Sequence, residues 1–144
     1  MNRTLGKKGL CFLLLQHRDG RALIYVYRPA RLVSDLKNES ASVLLKERGY
    51  PTAAPARCIA ELIRRLEGSD EFPHEIGLFL GYPPEDVSGF IENKALGCKC
   101  IGCWKVYGDL DEAKRSFARF KKCTEVYCAQ WSKGKSIERL TVAV

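Results

Sequence analysis

The sequence predicts an α+β fold: a single domain, residues 1–144, with a mixed central β-sheet of about four strands and helices packed over it. Three observations predict it. The 144 residues match the commonest domain size and are enough to close one hydrophobic core without cross-links. Apolar runs of strand composition alternate with stretches whose apolar residues recur at helical spacing. No Pro, Gly or Ser-rich linker, internal repeat or low-complexity tract divides the chain.

The elements follow in order. Leu10 to Leu15 and Ala22 to Tyr27 read as strands, and the turn-prone His17-Arg18-Asp19-Gly20-Arg21 between them reads as a hairpin. The near-continuous apolarity of the first run predicts a strand covered on both faces. Pro29 opens a helix carrying Leu32, Val33 and Leu36, which Asn38 interrupts. A second short helix runs from Ser40 to Arg48 and stops at Gly49. Pro55 starts a clearer one, with Ile59, Leu62, Ile63 and Leu66 as its stripe and Gly68 as its end. Ile76 to Leu80 reads as a buried strand, and Pro83-Pro84 opens a helix bearing Val87, Phe90 and Ile91. Cys103 to Tyr107 is the last expected strand. Asp109 with Glu112 caps the longest helix, whose stripe is Leu110, Ala113, Phe117, Phe120, Thr124, Tyr127, Cys128 and Trp131.

Composition excludes several classes. Hydrophobic residues make up 46% and charged residues 28%, which leaves no room for a long disordered tail. The apolar run after Arg3, Lys7 and Lys8 is too short for a signal peptide and lacks a small-residue cleavage site. No stretch approaches a membrane span, so a soluble, cytoplasmic chain is expected. Seven cysteines, an odd number, then read as reduced thiols, with Cys11 and Cys58 in the core. The net charge of +7 favours an acidic partner of some kind. Arg115, Arg119 and Lys122, flanked by Lys114 and Lys121, form the most basic helix face. It carries no interleaved aromatics, so a solvated face fits it better than a nucleic-acid surface.

Candidate chemistry is sparse. Cys98, Cys100 and Cys103 form C-x-C-x-x-C, and zinc or an iron-sulfur cluster there would need Cys123 or Cys128 as a further ligand. The Cys100 to Cys103 spacing also suits thiol redox work, but a strand is expected where a reactive thiol prefers a helix N-terminus. No cofactor is therefore predicted. His74 and Glu75 are the most tempting acid-base pair, yet neighbours in an extended chain face opposite ways. Residue 78 is Leu, which removes the H-E-x-x-H zinc motif, and no G-x-S-x-G, P-loop or G-x-G-x-x-G sequence occurs. His17 reads as a merely exposed turn residue.

The segment F-P-H-E-I-G-L-F-L-G-Y-P from Phe72 to Pro83 is more distinctive. With R-A-L-I-Y-V-Y-R-P from Arg21 to Pro29, and G-C-W-K-V-Y-G-D from Gly102 to Asp109 followed by F-K-K-C ending at Cys123, it resembles domain of unknown function 3793, a bacterial family. The resemblance covers nearly the whole chain and implies no particular reaction, substrate or cofactor. It implies relatives longer at the front, with a segment resembling C-A-P-T-L-A-G-K before a helix. A chain lacking that segment would expose apolar surface and favour a homodimer.

The leading functional expectation is a non-catalytic ligand-binding or interaction module for a small anionic ligand. Its site is expected where the His74 turn, the Gly81-Tyr82-Pro83 turn and the Trp104 to Tyr107 strand meet. The ligand-contact candidates are His74, Glu75, Tyr82, Trp104, Lys105 and Tyr107, with Lys105 as anion contact and Tyr82 and Tyr107 as walls. Lys105 and Tyr107 should share one strand face and Trp104 the other. A cysteine-dependent metal or thiol redox protein and an enzyme using His74 as acid or base are the two alternatives.

Overall fold

The computed structural model describes residues 2–69 and 71–143. It is α+β, but among the described residues the strands form two separate two-stranded antiparallel sheets and no central sheet. The first sheet pairs β1 (Cys11–Arg18) with β2 (Arg21–Tyr27). Asp19 and Gly20, at φ 51° and 72°, make the two-residue turn between them, a left-handed pair whose twist matches the strands it joins. Pairing shifts between Leu14 and Gln16. The residue that bulges there, Leu15, is buried, whereas Leu14 is 54% exposed. Ile24 and Val26 are exposed as well, so the hairpin is covered on one face only. The expectation of a doubly covered strand is corrected accordingly. Cys11, expected in the core, lies half-buried at the strand's start, whereas Cys58 is fully buried.

Helices supply most of the core. They are α1 (Asn2–Gly6), α2 (Pro29–Lys37), α3 (Glu39–Glu47), α4 (Pro55–Gly68), α5 (Ile76–Phe79), α6 (Pro84–Glu92), α7 (Leu110–Ser132) and α8 (Ile137–Leu140). Proline sits in the first turn of α2, α4 and α6, where its fixed φ helps and its missing N–H is not needed. Asn38 ends α2 and, through its side-chain oxygen, caps Ala41 at the start of α3. Leu32, Leu36, Leu45, Ile59, Leu62 and Leu66 from α2, α3 and α4 pack with Leu15 and Tyr25 of the hairpin and with Leu78, Phe79 and Val87. Leu45 and Leu62 are completely buried.

Ile76 to Leu80, expected as a strand, is helical. Five consecutive apolar residues fit a buried strand and a buried helical turn equally well. Two long-range anchors favour the turn: Glu75 is buried just before it, and the Tyr25 hydroxyl donates to the Phe79 carbonyl just inside it. The last expected strand shrinks to β4 (Lys105–Val106), which pairs with β3 (Cys100–Ile101). Gly102 to Trp104 form the turn between them, closed by Gly102 N–H donating to the Trp104 carbonyl at 3.0 Å.

Asp109 caps α7 by accepting the Glu112 N–H at 2.9 Å. The stripe that begins with buried Ala113 continues past the end of the core: Phe120, Tyr127 and Trp131 are 43%, 43% and 57% exposed. Arg115, Arg119 and Lys122 are solvated. Among the described residues no helix is long and apolar enough to cross a membrane.

Gly102 fixes how closely the β3–β4 turn lies against α7. A Cβ on Gly102 would collide with the Phe117 ring. Gly102→Ala is therefore expected to destabilise the protein by ~1–3 kcal/mol through overpacking and to shift the near-UV circular dichroism of the adjoining Trp104. A change below about 0.5 kcal/mol, the usual size for a surface substitution, would show that this contact is loose.

Candidate functional site

Three segments converge on a cleft of 340 Å³. The first is Phe72 and His74, with Ile76 and Gly77 behind them. The second is Tyr82 followed by Asp86, Val87 and Phe90 of α6. The third is Ile101 to Lys105. Rings dominate the walls. His74 meets Phe90 edge-on with centroids 5.0 Å apart, and Tyr82 lies 4.9 Å from Trp104. Trp104 is backed by Phe117 at 4.6 Å and Phe120 at 6.3 Å. These are the edge-on and tilted geometries that aromatic quadrupoles favour.

Asp86 holds the third segment in place. Its Oδ2 accepts the Trp104 indole N–H at 2.6 Å, and its Oδ1 accepts the backbone N–H groups of Tyr107 at 2.8 Å and Gly108 at 2.7 Å. A buried carboxylate satisfied by three N–H donors is a positioning device, and its oxygens are already occupied. Lys105 donates to the Ala95 carbonyl at 2.7 Å, and its ammonium stands 5.9 Å from the centre of the Phe90 ring. One hydrogen bond leaves an ammonium two further donors. Tyr82 donates from its hydroxyl to the Cys103 carbonyl at 3.4 Å, and burial pushes its phenol above the ordinary pKa.

Four of the ligand-contact candidates, His74, Tyr82, Trp104 and Lys105, line this cleft. Trp104 and Lys105 do so together, against the expectation of opposite faces, because Trp104 belongs to the turn before β4 and escapes strand alternation. Tyr107 is placed elsewhere: it packs over Gly89 and donates to the Leu96 carbonyl at 3.0 Å. Glu75 does not line the cleft. Sequence reasoning missed Phe72, Phe90 and Asp86. A signal for Asp86 existed, since it lies four residues before Phe90 on the apolar side of α6.

Glu75 instead closes the floor of a second recess, of 330 Å³, lined also by Arg48, Arg64, Arg65 and Ser69. Its Oε1 accepts from the Tyr50 hydroxyl at 2.9 Å and from Arg65 at 3.1 Å. Arg65 stacks over the Tyr50 ring at 4.3 Å and also donates to the Arg48 carbonyl. Burial and the neighbouring Glu75 carboxylate push the Tyr50 phenol far above its ordinary value. Glu61 accepts from Arg64 and Arg65, each at 2.7 Å at closest, and those hydrogen bonds hold its carboxyl down at about 2. Arg48 is different. Its Nη1 stands 3.6 Å from Glu75 Oε2, beyond hydrogen-bond reach, and its buried Nε has no partner. The two hollows share Phe72 and His74 as a common wall.

The cysteines do not assemble. All seven are free thiols, and Cys103, Cys123 and Cys128 are exposed. Strand β3 ends at Ile101, so the turn through Gly102 separates Cys98 and Cys100 from Cys103. Among the described residues no group of three or more His, Cys, Asp or Glu side chains could hold a metal ion. Cys103 lies at the aromatic cleft.

The fold and cleft define a small α+β protein with an aromatic-walled hollow between a helical layer and a short hairpin. The chain matches the family described as protein of unknown function (DUF3793) over residues 1–141, and it belongs to that family. No curated protein and no solved structure matches it.

Proposed function

We propose that the chain is one non-catalytic binding domain, working in the reducing cytoplasm, and that its ligand is a small anion with a flat apolar body. The observation that carries this reading is the convergence of Phe72, His74, Tyr82, Phe90 and Trp104 on one cleft with Lys105 at its side. At 340 Å³ the cleft falls within the size range of small-molecule sites, roughly 300–1,000 Å³. It also exceeds the ~150 Å³ that accepts a benzene ring. Apolar walls with a few placed polar groups orient a ligand without needing reactive residues. His74 meets the Phe90 ring edge-on, an arrangement suited to contact rather than to proton transfer. Free thiols throughout fit a reducing compartment.

The test uses Trp104 as reporter. In a Trp131→Phe protein, Trp104 is the remaining indole, and titration with aromatic carboxylates should change its fluorescence saturably. Trp104→Ala, read by isothermal titration calorimetry because it lacks the reporter, should weaken binding about fivefold or more, because a base-sized ring stacked on an aromatic wall contributes ~1–3 kcal/mol. Lys105→Met should weaken the carboxylates more than their uncharged amides. Saturable binding that survives Trp104→Ala unchanged would place the ligand elsewhere and reject the proposal.

A further inference from the structure

We infer that the cleft and the arginine-lined recess beside it form one composite site for a nucleoside monophosphate, with the aromatic base in the cleft and the phosphate in the recess. This rests on the binding reading above and names the ligand class. Continuity is the first argument. Phe72 and His74 line both hollows, so a ligand stacked in the cleft has its substituents directed past two shared side chains toward the guanidinium groups.

The second argument is the state of those guanidiniums. Arg65 is committed to Glu61, Glu75 and the Arg48 carbonyl, and it braces the wall. Arg64 is 71% exposed and paired with Glu61, so it can swing to another acceptor at little cost. Arg48 has a buried Nε with no acceptor and only a long ion pair with Glu75. The Nε is shielded from the recess, so a ligand would meet the outer guanidinium nitrogens of Arg48, whose side chain is 32% exposed. A phosphate monoester presents three oxygens to a planar fork of N–H donors, the pairing arginine serves best. Glu75, on the recess floor, is neutralised by Arg65 and Arg48. Glu71 lines the recess too, and as a like charge it should weaken the anion rather than bind it.

Four nucleosides, adenosine, guanosine, cytidine and uridine, and their 5′-monophosphates can be titrated against the Trp131→Phe protein with Trp104 fluorescence as readout. At least one monophosphate should bind about tenfold or more tightly than its nucleoside, the equivalent of one charge-assisted hydrogen bond. That preference should shrink in Arg48→Ala and in Arg64→Ala, the second at a side chain that is 71% exposed, where truncation disturbs the fold least. Glu71→Gln should increase it, and inorganic phosphate should compete with the monophosphates alone. Nucleosides that bind with no gain from phosphate, or a gain unaffected by both arginine variants, would overturn the composite site and leave the cleft reading intact. A Trp104 signal that no compound moves, aromatic carboxylates included, would overturn both.

Discussion

Replacing Glu75 by Ala is expected to destabilise the protein by ~3–5 kcal/mol, the usual result of removing one member of a buried ion pair. The carboxylate is only 2% exposed and ties together the Tyr50 hydroxyl, Arg65 and Arg48. Without it, two guanidiniums face each other across a recess and a buried phenol loses its acceptor. Its position just ahead of α5 adds a topological consequence. The α5 turn carries Leu78 and Phe79 into the core, so local loosening there propagates into the main cluster. Glu75→Gln keeps an acceptor for Tyr50 while removing the charge, and should fall between Ala and the native residue. Urea unfolding measures all three. A loss below about 1 kcal/mol for the Ala variant, the range of an exposed pair, would mean that the cluster is ornamental to stability.

Asp86→Ala should have a comparable effect for a different reason. Three N–H groups, the Trp104 indole and the Tyr107 and Gly108 amides, all point at this one carboxylate. Each buried donor left without a partner costs ~1–3 kcal/mol, so a total of about 3 kcal/mol or more is expected. The damage should concentrate on the cleft. Trp104 would lose the bond that fixes its ring plane, and the β3–β4 turn would lose its tether to α6. Under conditions where the variant is still folded, Trp104 should show red-shifted, more quenchable emission and ligand affinity should collapse. Asp86→Asn retains one acceptor oxygen but turns an NH₂ toward the remaining donors, so it should be intermediate. An Asp86→Ala protein with native emission and native stability would contradict this assignment.

The helices were legible where the chain itself carries their punctuation. Pro55 and Gly68 bound α4, Asn38 separates α2 from α3, and Asp109 opens α7; these are local effects of fixed φ, missing N–H groups and side-chain capping. The Asp19-Gly20 turn was readable for the same reason. Ile76 to Leu80 was not, because its periodicity is silent and the deciding contacts come from Tyr25, 54 residues away at Phe79, and from the arginines around Glu75. The central sheet failed with it, since two strand readings reduced to a helical turn and a two-residue ladder. The reading of α7 as one continuous core stripe erred in a similar way. A sequence shows that Phe120, Tyr127 and Trp131 share a side, but which part of a stripe is covered depends on where the rest of the core ends.

The cleft was half legible. His74, Tyr82, Trp104 and Lys105 stood out because turns rich in Gly and Pro bring polar and aromatic side chains to the surface together. The second hollow was invisible, because Arg48, Arg64 and Arg65 read as ordinary helix-surface charges until Glu75 is seen buried beneath them.

Nuclear magnetic resonance of the Trp104 indole N–H tests the central claim most directly, since this proton is held by Asp86 at the wall of the cleft while Trp131 provides an exposed internal control. Addition of a flat aromatic anion should move the Trp104 indole resonance together with those of His74 and Phe90, and leave Trp131 in place. Movement confined to Trp131 and the far end of α7, with the Trp104 group unchanged, would contradict the assignment of this cleft as the binding site.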